Sequence, residues 1–331
     1  MKVFISMSVA VIFYSLYPYF ATRGEETPDP YTTTLVIQAV AFLSASLIVL
    51  ISLASQKKFK VCIETHKNLD SNAWLNILVA GACSAFLNLF FILALDMAHK
   101  GGVSVIVEGW PILAVFMTPF MVNKVWDPID KKDISFGIIA LAGVCLIVFS
   151  DQSLYAESTT AHKSLFGMDT TTFFGYVFAL LASYMTAIHS LTKANYSLAV
   201  QNIKNSMTEV MLSEMFSRGI GTFIMLAVVF ILGKQDNWSD AVFTTGFLIG
   251  FFVILVAGSS YTYAIMKARS PNVHIFYYMI PVLAVVWLYI AGLTEITPLL
   301  ISGGLLVVLS NVIIFAKNRK KTESVTEFSA F

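Results

Sequence analysis

Long apolar runs, most of them close to twenty residues, alternate with short polar connections along the whole chain. Crossing the hydrocarbon core of a bilayer takes about 20 apolar residues of helix. The pattern predicts ten spanning helices, over residues 3–21, 33–54, 73–95, 103–123, 134–150, 172–191, 207–232, 242–266, 273–292 and 298–316. The longest connection, 151–171, is the seam between two halves. The expected organisation is a five-helix unit over 1–150, a periplasmic loop over 151–171, a second five-helix unit over 172–317 and a cytoplasmic tail over 318–331.

Two of the runs hold residues that an ordinary core does not need. The stretch 101–125, GGVSVIVEGWPILAVFMTPFMVNKV, is apolar but carries Glu108 and, three residues later, Pro111. A proline inside a membrane helix leaves a backbone carbonyl without its helical donor, so Pro111 marks an expected helix break. A charge near the bilayer centre costs about 2.5–3.5 kcal/mol on insertion scales, so Glu108 is expected to face protein or water. The design returns in 270–289, SPNVHIFYYMIPVLAVVWLY, where Pro281 is in register with Pro111 at an offset of 170. At the same offset Tyr14 meets Tyr184, Ala94 meets Ala264 and Val103 meets Val273. Predicted helices 1, 3 and 4 fall on 6, 8 and 9, and helix 5 answers helix 10 with a shift of about four residues. An odd number of helices per half inverts the second half. The expected fold is an all-α polytopic membrane protein, with ten transmembrane helices as two inverted five-helix repeats. Inverted repeats with matching helix breaks mark alternating-access transporters, whose substrate site lies near the midplane between the repeats.

Composition agrees. The 331 residues are 57% hydrophobic and 12% charged, against about 25% charged in soluble domains. A net charge of +1 gives no nucleic-acid signature. The three cysteines have neither metal-ligand spacing nor a disulfide pattern. The N-terminal run is longer than a signal peptide's, has no clear small-x-small cleavage site and belongs to the repeat, so it reads as a retained first helix. No phosphate-cradling GxxxxGK[ST] loop is present, and neither HExxH nor GxSxG occurs. Neither ATP drive, a cofactor nor enzymatic chemistry is expected.

Lys and Arg set the orientation. With the N-terminus inside and strict alternation, 16 of them lie on the cytoplasmic side, Lys193 and the KNRKK tail among them; Arg23, Lys100, Lys163 and Lys234 lie outside, and Arg218 falls within a helix. Both termini are then cytoplasmic. Small residues in helix 5 (Gly137, Ala140, Gly143) and helix 10 (Gly303, Gly304, Ser310) read as close-packing seams, within one chain or between subunits. Monomer and homodimer are both open.

The chain resembles the drug/metabolite transporter superfamily, specifically its tandem EamA-domain exporters of ten helices. The resemblance rests on the 5+5 layout and on helix 3 running through a tight turn into a proline-bearing helix 4, as ALDMAHKGGVSVIVEGWP and AIMKARSPNVHIFYYMIP. It rests also on GLTEITPLLISGGLLVVLSNVII, where Glu295 resembles the family's acidic residue before the last helix. The first half departs from this pattern, with Asp127 near the expected glutamate, and Tyr14 and Tyr184 stand where family members often carry Trp. The resemblance implies export of small metabolites such as amino acids, amines or drugs across a bacterial inner membrane. The Trp110–Pro111 pair is similar to the branch that exports aromatic amino acids.

Several residues are candidates for a site. Ser104, Glu108 and Pro111 share a helix face, matched by His274, Tyr278 and Pro281 in the second half. Glu108 is expected either to bind a substrate amine and couple protons, or to be a structural carboxylate paired within the bundle. Arg218 is either an i,i+4 partner of Glu214 or a clamp for a substrate carboxylate. Trp110, Tyr277, Tyr278, Tyr14 and Tyr184 form a set of aromatics suited to flat or cationic ligands. His189 is a proton-relay candidate or a hydrogen-bonded helix-end residue, and Asn88 a cavity donor or interhelical glue. The remaining readings are a membrane-embedded sensor or a lipid-acting protein without solute transport.

Overall fold

The structure is a computed structural model that describes residues 2–22, 28–121, 131–155, 169–200, 206–268, 279–310 and 312–313. Every regular element among them is helical. The elements are α1 (Lys2–Ser15), α2 (Tyr17–Thr22), α3 (Pro30–Gln56), α4 (Phe59–Lys67), α5 (Ser71–Met97), α6 (Lys100–Val107) and α7 (Trp110–Met121). There follow α8 (Lys131–Tyr155), α9 (Thr170–Ala199), α10 (Ser206–Ile231), α11 (Asp240–Phe247), a π-helical segment (Leu248–Ala257), α12 (Gly258–Ala268), α13 (Ile280–Ile290) and α14 (Pro298–Ser310).

Six stretches among the described residues are long and apolar enough to cross a membrane: Val3–Thr22, Pro30–Gln56, Ser71–Met97, Thr170–Ser197, Thr208–Ile231 and Asp240–Tyr261. Ser135–Ile147, α13 and α14 are apolar but shorter. The protein is a multi-pass membrane protein, and α3 shows why. Gln38, Ala41, Ala45, Val49 and Leu53 are buried, while Leu43, Leu47, Leu50 and Ile51 are exposed. Both stripes repeat every three to four residues, and both are almost wholly apolar. One meets protein; the other has no aqueous rationale and is suited to lipid.

The long helices are placed by local chemistry. Asp29 caps α3, accepting from the amides of Tyr31 and Thr32, with Pro30 in the first turn where no amide hydrogen is needed. Asp29 also accepts from Asn237 Nδ2 at 3.2 Å, tying the start of α3 to the α10–α11 connection. At its other end α3 stops at Lys57, whose φ of 53° is left-handed. Asp70 caps α5 through the Ala73 amide.

Small side chains set the packing. α5 lies along α9, where Ala94 of α5 and Ala179 and Ala182 of α9 share one buried cluster and Ala80 of α5 takes a bond from His189. α10 lies along α3 and α5, and α3 also packs on α11 and the π segment. α1 packs on the π segment, α12 and α13; α9 also meets α6 and α7; α6 meets α13. α8 and α14 touch through backbone: a Cβ on Gly143 would lie 2.7 Å from the Gly303 carbonyl oxygen, and one on Gly303 would lie 2.6 Å from that of Gly143. The small-residue seam expected of helices 5 and 10 therefore lies within one chain.

Three breaks interrupt the spans among the described residues. The first predicted helix divides at Leu16, just before Pro18, which has no amide hydrogen for a helical bond. The fourth divides between α6 and α7 at Glu108–Gly109, where the Gly109 amide bonds the Ile106 carbonyl in a tightened turn. The eighth contains the π segment, a geometry frequent at functional sites. Helix α4, absent from the sequence expectation, is a short amphipathic element between α3 and α5. The Tyr196 hydroxyl holds it to α9 by donating to His66 Nε2 at 2.8 Å, His66 Nδ1 being the nitrogen that donates to the Cys62 carbonyl.

Candidate substrate site

A band of buried polar groups crosses the middle of the α3–α5–α9–α10 bundle. On α10, Glu214 and Arg218 are one turn apart, so their side chains share a face. Arg218 Nε donates to Glu214 Oε2 at 3.2 Å. From α9, the Lys193 ammonium forms a short ion pair with Glu214 Oε1. Side-chain exposure is 1% for Glu214, 6% for Arg218 and 13% for Lys193. One carboxylate thus holds two cations away from water.

His189, one turn before Lys193, completes this part of the band. Its Nδ1 is 2.9 Å from the Ala80 carbonyl, an acceptor only, so Nδ1 carries the hydrogen. Nε2 is then the acceptor that faces Arg218 Nη2 at 3.5 Å. A second proton on Nε2 would put two cations against each other, and this opposes the relay role expected of His189.

The band continues across α5 to the break between α1 and α2. The Tyr17 hydroxyl donates to Asn88 Oδ1 at 2.7 Å, and Asn88 Nδ2 donates to the Ser84 carbonyl at 2.7 Å. Gln38 Nε2 donates to the same carbonyl at 2.6 Å. Tyr14, half a turn before the break, lies in the field of Glu214, Arg218 and Glu108. Gly258 explains how α12 comes so close: a Cβ there would sit 3.3 Å from the Tyr14 hydroxyl and 3.4 Å from Glu214 Oε1. Tyr14 also meets Tyr261 edge-on, with ring centroids 6.3 Å apart.

The sequence candidates divide accordingly. Arg218, His189, Asn88 and Tyr14 belong to the band. Glu108, half-buried at the end of α6, acts on Tyr14. Trp110 is buried beside Met7, Val11, Ala187 and Ile280. Pro111 and Pro281 are the second residues of α7 and α13. Tyr184 is not part of the band: it is 44% exposed, five residues and so about 140° around α9 from His189. His274, Tyr277 and Tyr278 lie outside the described residues.

Four members of the band were not singled out in the sequence. Lys193 counts there as a loop cation, yet it lies within α9 and pairs with Glu214. Glu214 appears only as a neighbour of Arg218. Tyr17 and Gln38 sit in apolar runs, where a phenol or amide gives little signal. Glu209, whose place near a helix end suggests solvation, is buried. An apolar pocket of about 230 Å³ lies elsewhere, between α6, α13 and α14, with Val105, Val285, Leu300 and Gly304 on its walls. Nothing there would hold a charged ligand.

Residues 1–149 match the EamA-like transporter family. That stretch is an EamA-like domain. No curated protein matches the chain. One solved structure, described only as "Crystal structure of protein", is similar over 96% of this chain and 98% of its own length, at 15% identity and a TM-score of 0.55. That likeness concerns the fold alone. The EamA-like domain contributes Tyr14, Tyr17, Asn88 and Glu108, whereas His189, Lys193, Glu214, Arg218 and Gly258 come from beyond it.

Proposed function

We propose that the protein is a secondary transporter, working as an exporter of small organic metabolites by alternating access across a bacterial inner membrane, with both termini cytoplasmic. The reading takes the fold as two inverted five-helix repeats, 1–150 and 172–317, around the buried polar band.

The observation that carries the reading is the exchange symmetry of the helix pairing. Number the predicted helices 1 to 10 and let each swap with the one five places along. The packing of α1 on α12 (1 with 8) becomes that of α9 on α5 (6 with 3). The packing of α1 on α13 (1 with 9) becomes that of α9 on α6 and α7 (6 with 4). The packing of α3 on α11 and the π segment (2 with 8) becomes that of α10 on α5 (7 with 3). The pairs α3–α10, α6–α13 and α8–α14 map onto themselves. A one-state bundle has no need of such pairing. Many alternating-access transporters are built from inverted repeats, whose exchange gives pairing of this kind. The breaks in helices 1, 4 and 8 lie on elements that border the band, where discontinuous helices place binding groups in transporters.

In this reading Glu108 binds a substrate amine or couples protons, and the aromatics around Tyr14 and Trp110 face the organic body of the ligand. Flux into proteoliposomes tests it, using amino acids, organic amines and sugar phosphates with and without a pH gradient. Flux of one class is the expected result. A folded protein that moves none of them would return the sensor or lipid-acting reading.

A further inference from the structure

Building on the transporter reading, we infer that the substrate carries a single carboxylate and that Arg218 Nη1 is its anchor. Three observations lead there. Arg218 is 5% exposed. Its Nε is used by Glu214 and its Nη2 faces His189, but Nη1 has no hydrogen-bond partner among the described residues. Buried donors are satisfied in the great majority of cases, and one on a charged group is especially costly to leave unmet.

Charge gives the second argument. Lys193 and Arg218 share one carboxylate, and His189 is held as a neutral acceptor. The Lys193–Glu214–Arg218 group by itself therefore carries one positive charge more than it neutralises, the half-buried Glu108 and the buried Glu209 being carboxylates outside it. A buried excess of this kind favours an anionic ligand.

The third argument concerns which anion. A planar guanidinium suits carboxylates and phosphates alike. Here the same guanidinium already holds the Glu214 carboxylate through Nε, and among the described residues only its Nη1 is without a protein partner. A dianionic phosphate ester would be opposed by Glu214 across a few ångströms, and a monoanionic carboxylate much less. The Tyr14 and Tyr17 side chains, both in the field of Arg218, and Phe91 packed against Tyr17, offer an aromatic wall for the ligand's uncharged part. A ligand reaches Arg218 only when the surrounding helices part, which is the motion alternating access provides.

The test uses the full chain in lipid nanodiscs and two probe series of constant body: isocaproate, leucine, leucinamide and isopentyl phosphate, then hydrocinnamate, phenylalanine, phenylalaninamide and phenethyl phosphate. Binding is read as ligand-dependent thermal stabilisation. At least one free acid is expected to bind, with its amide and the phosphate ester about tenfold weaker or more. Arg218→Lys keeps the charge but loses the fork, and is expected to weaken the acid by about tenfold or more. Glu214→Gln removes the competing carboxylate and is expected to tighten it; this variant decides the matter should Arg218→Lys not fold. Equal binding of acid and amide, preference for the phosphate ester, no acid bound by the unmodified protein, or an unchanged or weakened acid in Glu214→Gln would overturn the inference. Failures of the two readings separate. Arg218-dependent acid binding without flux removes the transporter and keeps the site; flux of amines untouched by Arg218→Lys keeps the transporter and removes the site.

Discussion

Replacing Glu214 with glutamine keeps the shape of the side chain and removes the charge that two buried cations share. Its oxygen can still accept one hydrogen bond, but Lys193 and Arg218 are left facing each other without compensation. Removing one partner of a buried ion pair costs about 3–5 kcal/mol, because the other charge stays in low dielectric. The retained hydrogen bond and the 13% exposure of Lys193, which lets the ammonium lean toward water, place Glu214→Gln at the lower end, about 3 kcal/mol. A neutral hydrogen bond between membrane helices averages about 0.6 kcal/mol, so a loss of this size identifies charge compensation rather than a lost contact. The assay is reversible unfolding in mixed micelles with increasing SDS, followed by tryptophan fluorescence. The double variant Lys193→Met/Glu214→Gln removes one of the two stranded cations as well. It should be more stable than Glu214→Gln alone by about 1 kcal/mol or more, since neighbours within one network couple by about 0.5–3 kcal/mol. A Glu214→Gln protein within about 0.5 kcal/mol of the unmodified one, the range of an ordinary surface substitution, would refute the reasoning, as would purely additive effects.

Other expectations are as specific. Gly143→Ala and Gly303→Ala each push a methyl group into the facing backbone, and overpacking of this kind costs about 1–3 kcal/mol, readable in the same unfolding assay. Cys62 is on the buried face of α4 and burial pushes its thiol above the usual range; the thiolate is the reactive form, so maleimide should label it slowly even in permeabilised cells. A cysteine in place of the exposed Lys60 should label quickly there, and labelling of it in intact cells would reverse the orientation. Glu108→Gln should abolish pH-driven flux while keeping substrate exchange, and unchanged pH dependence would return Glu108 to a structural role.

Much of the fold is legible in the chain because lipid accepts apolar residues on every face, so spans stand out by length alone. The breaks are less so. Pro111 is conspicuous beside a carboxylate, whereas Pro18 lies in YPYF near the end of an apolar run and passes for a boundary. Helix α4 escapes because nine residues are too few for a span. In the site, Arg218 and Glu214 are visible through their i,i+4 spacing. Lys193 is not, because a lysine near the end of an apolar run is counted as a loop cation unless its partner on another helix is known. Tyr184 fails for the opposite reason: a matching position at an offset of 170 does not fix which way a helix is turned.

The central claim is that this bundle is a carrier with two exchanging access states. Counterflow addresses it most directly. Proteoliposomes are preloaded with an unlabelled substrate from the responsive class, diluted, and given a labelled trace of the same compound outside. A carrier accumulates label transiently above equilibrium, because the return of the empty site is bypassed by exchange. The account expects that overshoot, and expects it to vanish in Arg218→Lys at the same protein content. Label that only approaches equilibrium, at a rate indifferent to the preload, would contradict it.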